Sequence, residues 1–267
     1  MFFNYIFNLF FIYCFVYDNK KNPYKNDLIN ENSIKSKIEK EIDLINIISI
    51  IEKKKHKFLC GGGFIVRLLQ SKKYDNIFAL LTENERLFFI LILRSSKKFL
   101  EFGMGGSTLL AYMTSNIKKI ISVESNIKWI NKIRKFKNIK NEEGKRIILE
   151  YINIGKVKYN GFPYNMAKNK DFFKYSKYIF KKYENDYDLV FIDGRFRVAC
   201  VLQVILNCKL DIKILIHDFN NRQNYHILYK YLDIIYSIDT LALFSIKEDI
   251  DFEEIKNDYN IYKNNPK

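Results

Sequence analysis

The chain has 267 residues, a formal net charge of +15, 48% apolar residues, and only 10 glycines and 3 prolines. This much apolar sequence can bury a substantial core, which excludes a disordered chain, and the few glycines and prolines exclude a collagen-like or linker-dominated one. The basic residues are mostly lysines in a chain rich in Asn, Ile, Tyr and Phe, a pattern typical of A/T-rich codons, so the charge favours anionic ligands but does not indicate nucleic acid as the primary partner.

The first 17 residues are apolar apart from Asn4 and Asn8. This run is slightly shorter than the about 20 residues that a membrane-spanning helix needs, and it lacks the flanking features of a secretory signal. Three interpretations stay open: a hydrophobic helix that packs on protein, an upstream extension outside the fold, or attachment to the cytoplasmic face of a membrane, an orientation that the lysines after it would favour. The four cysteines form no C-x-x-C pair, which indicates reduced thiols and a cytoplasmic protein.

The chain changes character near Thr82. Residues 1–80 are predicted to form the hydrophobic segment and a helical extension, and residues 81–267 a separate α/β domain. The sequence Thr82-Glu83-Asn84-Glu85 has the form of a capping box, which predicts that a helix begins there.

Beyond this capping box, short apolar strands alternate with helices. The predicted strands are 98–102, 119–123, 146–151, 188–192, 213–216 and 241–246, and the predicted helices are 87–93, 107–113, 128–137, 197–207 and 225–236. A long irregular stretch runs from 153 to about 170. Such alternation predicts an open, doubly wound, mostly parallel Rossmann-like sheet that binds ligands beyond the carboxyl ends of its strands.

A glycine turn with the sequence EFGMGGST follows the first of these strands. Gly103 and Gly105 let the backbone pass close to a ligand, and the helix that begins at Ser107 directs its N–H groups towards it. Glu101 suits a cationic ligand group, and Glu124, at the end of the second strand, can accept both hydroxyls of a ribose. S-adenosylmethionine, an adenosine with a cationic amino-acid end, meets both demands; the alternative is a tight strand–helix turn with ordinary acids.

These residues resemble motif I and the second-strand acid of the class I S-adenosylmethionine-dependent methyltransferases. Four further segments resemble a poorly characterised bacterial branch of that superfamily: Leu189–Cys200, Ile216–Phe219, Arg222–Tyr225 and Leu243–Tyr259. The resemblance runs from about residue 82 to the C-terminus. It implies that Glu101, Gly103 and Gly105 line the methionine end and that Glu124 binds the ribose, and it leaves the adenine-side acid unassigned.

Polar residues follow the predicted fourth and fifth strands. Arg195 and Arg197 suit a carboxylate or phosphate of the acceptor, although structural pairing with Asp193 or Asp218 is the alternative. His217 could remove a proton from an acceptor hydroxyl. Asp193 and Asp218 could instead share a Mg²⁺ ion, as in the catechol-type O-methyltransferases that this layout resembles, with Asn220 or Asn221 as a third ligand. A structural role for these residues also stays open.

Arg222 and Tyr225 are predicted to bind substrate at the rim of this cleft. The aromatic, lysine-rich segment 158–183 is expected either to carry acceptor specificity or to form a helical flap over the sheet. The sequence thus predicts methyl transfer from S-adenosylmethionine to an oxygen or nitrogen of a small-molecule or glycan-like acceptor, with an anionic group on the acceptor as a further expectation. The alternatives are a non-catalytic, membrane-proximal module that keeps the fold, and an RNA methyltransferase, which the +15 charge suggests.

Overall fold

The computed structural model describes residues 79–158, 160–167 and 170–267. The hydrophobic segment 1–17 and nearly all of the predicted extension lie outside the described residues, so membrane contact, the domain boundary and the cytoplasmic location stay predictions. Within the described ranges, no helix is long and apolar enough to cross a membrane.

Seven strands and seven α-helices follow one another in the described part of the chain. The helices are α1 (Glu83–Arg94), α2 (Gly106–Met113), α3 (Ile127–Arg134), α4 (Lys137–Glu142), α5 (Phe173–Lys182), α6 (Arg197–Asn207) and α7 (Phe252–Tyr262), with a 3₁₀ helix at Gln223–Lys230. The strands are β1 (Lys98–Phe102), β2 (Lys119–Glu124), β3 (Ile147–Tyr151), β4 (Leu189–Ile192), β5 (Lys213–Ile216), β6 (Leu232–Ile238) and β7 (Leu241–Ile246). The predicted segments 98–102, 197–207, 213–216 and 241–246 agree with the structure residue for residue.

The strands form one sheet in the order β3-β2-β1-β4-β5-β7-β6. Strands β1 to β5 pair in parallel, whereas β7 runs antiparallel to β5 and to β6. The predicted open, doubly wound, mostly parallel sheet is confirmed. Because the chain moves outwards from β1 to β3 and then returns to place β4 on the other side of β1, the topological switch point lies between β1 and β4.

Alternate residues of β1 face opposite sides of the sheet. Leu100 and Phe102 belong to the large core that α5, α6 and α7 cover. Phe99 and Glu101 face the other side, where Phe99 contacts Phe89 of α1. A carboxylate is therefore buried in the middle of the sheet, directly below the start of α2.

The prediction of one helix over 128–137 is wrong, because the structure has two, α3 and α4. The chain leaves the helical conformation at Phe136, whose ψ is 110°. Arg134 at the end of α3 forms a two-pronged ion pair with Glu143, just after α4, with its shortest N–O distance 2.7 Å. This contact folds α4 back towards α3, which a local helical pattern does not reveal.

The prediction of a helix over 225–236 is also wrong. The 3₁₀ helix ends at Lys230, and β6 then pairs antiparallel with β7. Asp239, with φ at +51°, makes the tight turn between the two strands. The β-branched run Ile234-Ile235 suits a strand, and the pairing with β7 decides the conformation.

Candidate functional site

The loops after β1 and β4 touch at the topological switch point. Gly103 has φ at +102°, and a Cβ there would lie 2.6 Å from the Cα of Gly194. A Cβ on Gly194 would in turn lie 3.0 Å from the nitrogen of Gly103 and would overlap the hydroxyl of Tyr175. Both positions therefore require glycine. This approach brings the predicted cofactor turn directly beside the predicted acceptor loop.

Glu101 is fully buried, and three hydroxyl groups donate to its carboxylate. They belong to Ser107, to Thr108 at 2.5 Å and to Ser122 at 2.6 Å. Burial outweighs these donors and raises the pKa of Glu101 to about 7. Glu101 and Ser107 thus hold the start of α2 against β1 and β2, and a direct contact of either with a ligand stays a prediction. Ser122 stands opposite Glu101 in the parallel register, so this partner was recognisable once the strand pairing was known.

Glu124 closes β2 and is 6% exposed. One carboxylate oxygen accepts the N–H groups of Ser125 at 2.6 Å and Asn126 at 2.7 Å, and the other accepts that of Met104 at 3.2 Å. Burial raises the pKa of Glu124, and these amide donors oppose the shift. In the described part of the chain no cationic side chain pairs with Glu124 or Glu101. The glycine turn is therefore flanked by two acids whose partners are all neutral.

The second glycine of the turn, Gly105, borders open space at the start of α2. A Cβ on Gly105 would meet no atom within 4 Å. The N–H of Gly105 donates to Thr108 at 3.0 Å, which shapes the first turn of this eight-residue helix. Neutral partners on both acids, and free space beside the turn, fit a nucleoside ligand that carries a cationic group.

Part of the segment between β3 and α5 forms a hairpin beside this turn. Val157 pairs antiparallel with Pro163. At the tip of the hairpin, a Cβ on Gly161 would lie 3.9 Å from Oε1 of Glu124 and 3.6 Å from Cγ of Arg195. The predicted segment 158–183 thus contains both a loop at the site and a helix, α5, that covers the sheet; its role in acceptor specificity stays a prediction.

Arg197 ties the ends of β4 and β5 together. It is 3% exposed, and its guanidinium lies 3.0 Å from Asp193 and 3.1 Å from Asp218. It also donates to the carbonyl oxygens of Gly194 and His217. Arg197 is the first residue of α6, and its side chain folds back over both strand ends. Its contacts are therefore those of the alternative in which it pairs with Asp193 and Asp218. An acceptor could bind Arg197 only by displacing one of these partners. Asp218 adopts a left-handed backbone with φ at +58°, a strained conformation typical of functional loops.

The predicted rim residues are placed differently from each other. Arg222 pairs with Asp218 at 2.7 Å, and 37% of its side chain is exposed. Tyr225 is 1% exposed, and its hydroxyl accepts a hydrogen bond from Arg222 at 3.3 Å. The predicted rim position of Tyr225 is wrong because its ring packs into the core, and substrate binding by either residue stays a prediction.

Both ring nitrogens of His217 face carboxylates. Nδ1 lies 2.8 Å from Asp193, whereas Nε2 lies 3.6 Å from Glu85 and 3.8 Å from Asp218. Burial lowers the pKa of His217, but the hydrogen bond to Asp193 and the charges of both aspartates outweigh it, so the net shift is upward. Nε2 is therefore the nitrogen that could take a proton from an acceptor, and that role stays a prediction.

Glu85 was predicted only as a capping-box residue, and the structure confirms the box: Thr82 and Glu85 bond each other's backbone N–H groups. Its carboxylate also accepts from the N–H and the hydroxyl of Thr240 at 2.8 and 2.7 Å. This second role, which places a buried acid behind His217, depends on the hairpin between β6 and β7 and has no local signal in the sequence.

The oxygen and nitrogen ligand atoms of Asp193, His217 and Asp218 all lie within 4.8 Å of one another. The third possible metal ligand in this set is thus His217. The side chain of Asn220, a predicted third ligand, instead donates to the carbonyl of Asp239 at 2.9 Å. The number of donors fits a divalent ion. However, the Arg197 guanidinium already bridges the two carboxylates, so a metal ion would compete with it. Mg²⁺ stays a prediction.

Arg195 differs from the other two arginines of the site. Its Nε donates to the carbonyl of Asn160 at 3.0 Å, and no described carboxylate forms an ion pair with it. Burial and the positive charge of Arg197 lower the pKa of its guanidinium. Of the predicted arginines, this one therefore has unused hydrogen-bond donors.

Comparisons with known proteins agree with this architecture. No protein-family model and no curated protein matches the chain. A methyltransferase-like protein from Silicibacter pomeroyi DSS-3 is similar in structure, with a TM-score of 0.61 and 22% identity over 71% of this chain and 98% of that one.

The structure of cofactor-bound Rv0187 from MTB is less similar, with 15% identity, a TM-score of 0.46 and coverage of 72% of this chain and 94% of that one. A precorrin-6y C5,15-methyltransferase from Geobacter metallireducens GS-15 is also less similar, with 12% identity, a TM-score of 0.39 and coverage of 64% of this chain and 94% of that one. The sheet order and the first of these similarities lead to one conclusion: the chain has a Rossmann-like α/β fold, which it shares with that methyltransferase-like protein.

Proposed function

We propose that the protein transfers a methyl group from S-adenosylmethionine to an oxygen or nitrogen of a small-molecule or glycan-like acceptor. One observation carries the proposal: the acids that flank the glycine turn, Glu101 and Glu124, have only neutral partners among the described residues. Buried carboxylates without a counter-charge favour a cationic ligand. They lie in β1, which borders the switch point, and at the end of the neighbouring strand β2, and open α/β sheets bind their ligands at this edge.

Three parts of the chain would hold the nucleoside. Glu124 would accept the ribose hydroxyls, since its carboxylate stands at the end of β2 with one long, replaceable hydrogen bond to Met104. The backbone at Gly103 and Gly105 would lie along the ligand. Glu101 would act mainly through its field and by holding the start of α2, because its carboxylate is fully enclosed.

When bound, S-adenosylmethionine supplies an electrophilic methyl group on a sulfonium. The protein's part in such a transfer is chiefly to align donor and acceptor. The residues after β4 and β5 would position the acceptor: Asp193 holds Nδ1 of His217, which leaves Nε2 to take the acceptor's proton. A Mg²⁺ ion on Asp193 and Asp218 is the alternative means of activating an acceptor hydroxyl.

Calorimetric titration with S-adenosylmethionine and with S-adenosylhomocysteine tests the proposal. We expect saturable binding of both ligands by the full chain. Absence of binding would leave the non-catalytic module as the better interpretation. An RNA acceptor would instead reveal itself as RNA binding that weakens steeply as salt is raised.

A further inference from the structure

Tyr175 presents its hydroxyl at the point where the loops after β1 and β4 meet. It lies in the first turn of α5, and its ring packs against Phe102 and Phe196 with centroid distances of 6.0 and 5.6 Å. The hydroxyl occupies the space that a side chain at Gly194 would fill. The side chain of Tyr175 is only 1% exposed, and its hydroxyl has no hydrogen-bond partner among the described residues. The hydroxyl can therefore donate to a ligand that reaches this point.

Arg195, which directly follows Gly194, is the second group without a full set of partners. Arg197 and Arg222 share the carboxylates of Asp193 and Asp218, whereas Arg195 forms no ion pair within the described part of the chain. Both of its terminal nitrogens lack an acceptor there, because only Nε is bonded, to the hairpin at Asn160. Of the three guanidinium groups at this edge of the sheet, that of Arg195 is thus the one that no described carboxylate pairs with.

The two groups lie within electrostatic reach of each other. Burial and the charge of Glu124 raise the pKa of Tyr175 well above its ordinary value, and the charge of Arg195 opposes that shift. The phenol therefore stays neutral and can donate a hydrogen bond. Burial and the charges of Arg197 and Arg222 lower the pKa of Arg195, a shift that a bound anion would reverse.

We propose that Arg195 and Tyr175 form an anion subsite that binds a carboxylate or phosphate group of the methyl acceptor, an inference that rests on the proposed function. The terminal nitrogens of Arg195 would donate to two oxygens of the anion, and the phenol of Tyr175 would donate to one of them. The subsite is assigned to the acceptor because Glu101 favours the cationic end of the donor and Glu124 would accept the donor's ribose hydroxyls. An uncompensated guanidinium beside a sulfonium is repulsive, and an anionic acceptor removes that repulsion.

Calorimetry with two small probes, acetate and inorganic phosphate, tests this subsite in the full chain, with and without S-adenosylhomocysteine. The variants are Tyr175→Phe, which keeps the ring and its packing, and Arg195→Gln. The matched controls are Tyr178→Phe on the exposed face of α5 and Arg94→Gln at the exposed end of α1. We expect each site variant to weaken binding of at least one probe by about 10-fold to 100-fold, the usual effect of losing a charge-assisted hydrogen bond, and the controls to bind like the parent. Unchanged melting temperatures would show that the variants are folded.

Three results would overturn the subsite. The first is a parent protein that binds neither probe. The second is a pair of site variants that bind both probes as tightly as the parent. The third is weakened binding of S-adenosylhomocysteine with unchanged binding of 5′-methylthioadenosine, which lacks the amino-acid end, because Arg195 and Tyr175 would then hold the donor's own carboxylate. By contrast, a parent protein that binds the probes but not S-adenosylhomocysteine would refute the proposed function. In that case, loss of probe binding in both site variants would still support an anion site.

Discussion

The acids at the two halves of the sheet edge are compensated in different ways. In the glycine-turn half, at the ends of β1 and β2, hydroxyl and amide groups surround Glu101 and Glu124. In the arginine half, at the ends of β4 and β5, arginines pair with Asp193 and Asp218. The first half can still take a positive charge from a ligand, whereas the acids of the second half already have cationic partners.

The direction of the pKa shifts reflects this difference. Burial raises the pKa of Glu101 to about 7, because hydroxyl donors alone do not offset the loss of water. Burial acts on Asp193 too, but its hydrogen bond with His217 and the charge of Arg197 outweigh it, and the net effect lowers the pKa of Asp193. The two shifts have opposite directions because Asp193 has cationic neighbours and a partly exposed side chain, whereas Glu101 is fully enclosed among neutral donors.

The largest expected effect concerns turnover in the arginine half. If Nε2 of His217 takes the acceptor's proton, His217→Ala should lose on the order of 10²–10⁴ in rate, and a chelator should leave the parent active. Because the pKa of His217 is raised, the parent's rate should rise with pH through a value above the ordinary 6.5. S-adenosylhomocysteine release, measured with an acceptor identified by mass spectrometry of co-purifying material, gives the rate.

Loss of activity on chelation, reproduced by Asp193→Asn with nearly unchanged donor affinity, would favour Mg²⁺ in place of the histidine base. Full activity in both His217→Ala and Asp193→Asn would show that the chemistry does not occur at these strand ends.

Removing the central cation of the arginine half should cost the most stability. Arg197→Leu leaves Asp193 and Asp218 short of a buried counter-charge and should lower the free energy of unfolding by about 3–5 kcal/mol. Arg222→Leu is the matched control: with 37% of its side chain exposed, its loss should cost about 1 kcal/mol or less. Urea titration of the parent and the two variants measures both losses, and equal losses would contradict the inference that Arg197 ties the ends of β4 and β5 together.

Glu101, the buried acid of the glycine-turn half without a cationic partner, should make the free energy of unfolding depend on pH. The pKa of Glu101 is about 7 in the folded protein and near 4.5 when exposed, so the folded state binds the extra proton between these values. Stability from this group is fully present below pH 4.5 and is lost as pH rises to about 7, a change of about 3 kcal/mol. Glu101→Gln should remove this pH-dependent loss, and Glu184→Gln, at a side chain that is 81% exposed, should not. Parallel stability curves for the parent and Glu101→Gln would refute the raised pKa.

The smallest expected effect is on the affinity of the glycine-turn half for S-adenosylmethionine. Glu124→Ala should weaken binding of S-adenosylmethionine by about 1.5–3 kcal/mol, because the ribose hydroxyls would lose a charged acceptor. Glu184→Ala, on the chain before β4, serves as the control. Calorimetry measures both affinities, and parent-like binding by Glu124→Ala would mean that the nucleoside lies elsewhere.

Local patterns in the sequence were sufficient for much of the fold. The strand 98–102 and the helix 197–207 follow from runs of apolar residues with the period of each element. The glycine turn was recognisable because Gly103 and Gly105 follow a buried strand, and the acid Glu124 because it ends the next one. Each of these features depends on residues that are close along the chain.

Only the tertiary structure decided which side chains have partners. Arg195 and Arg197 are two residues apart and look equivalent in the sequence, yet Arg197 folds back onto two acids from different strands while Arg195 has none. Tyr175 reaches the same place from a different helix, and β6 is a strand because β7 lies beside it. The sequence by itself determined most of the elements and the acids at their ends, since these depend on local periodicity and turns. The partners of each charge depend on contacts between distant segments, which exist only once the sheet has assembled.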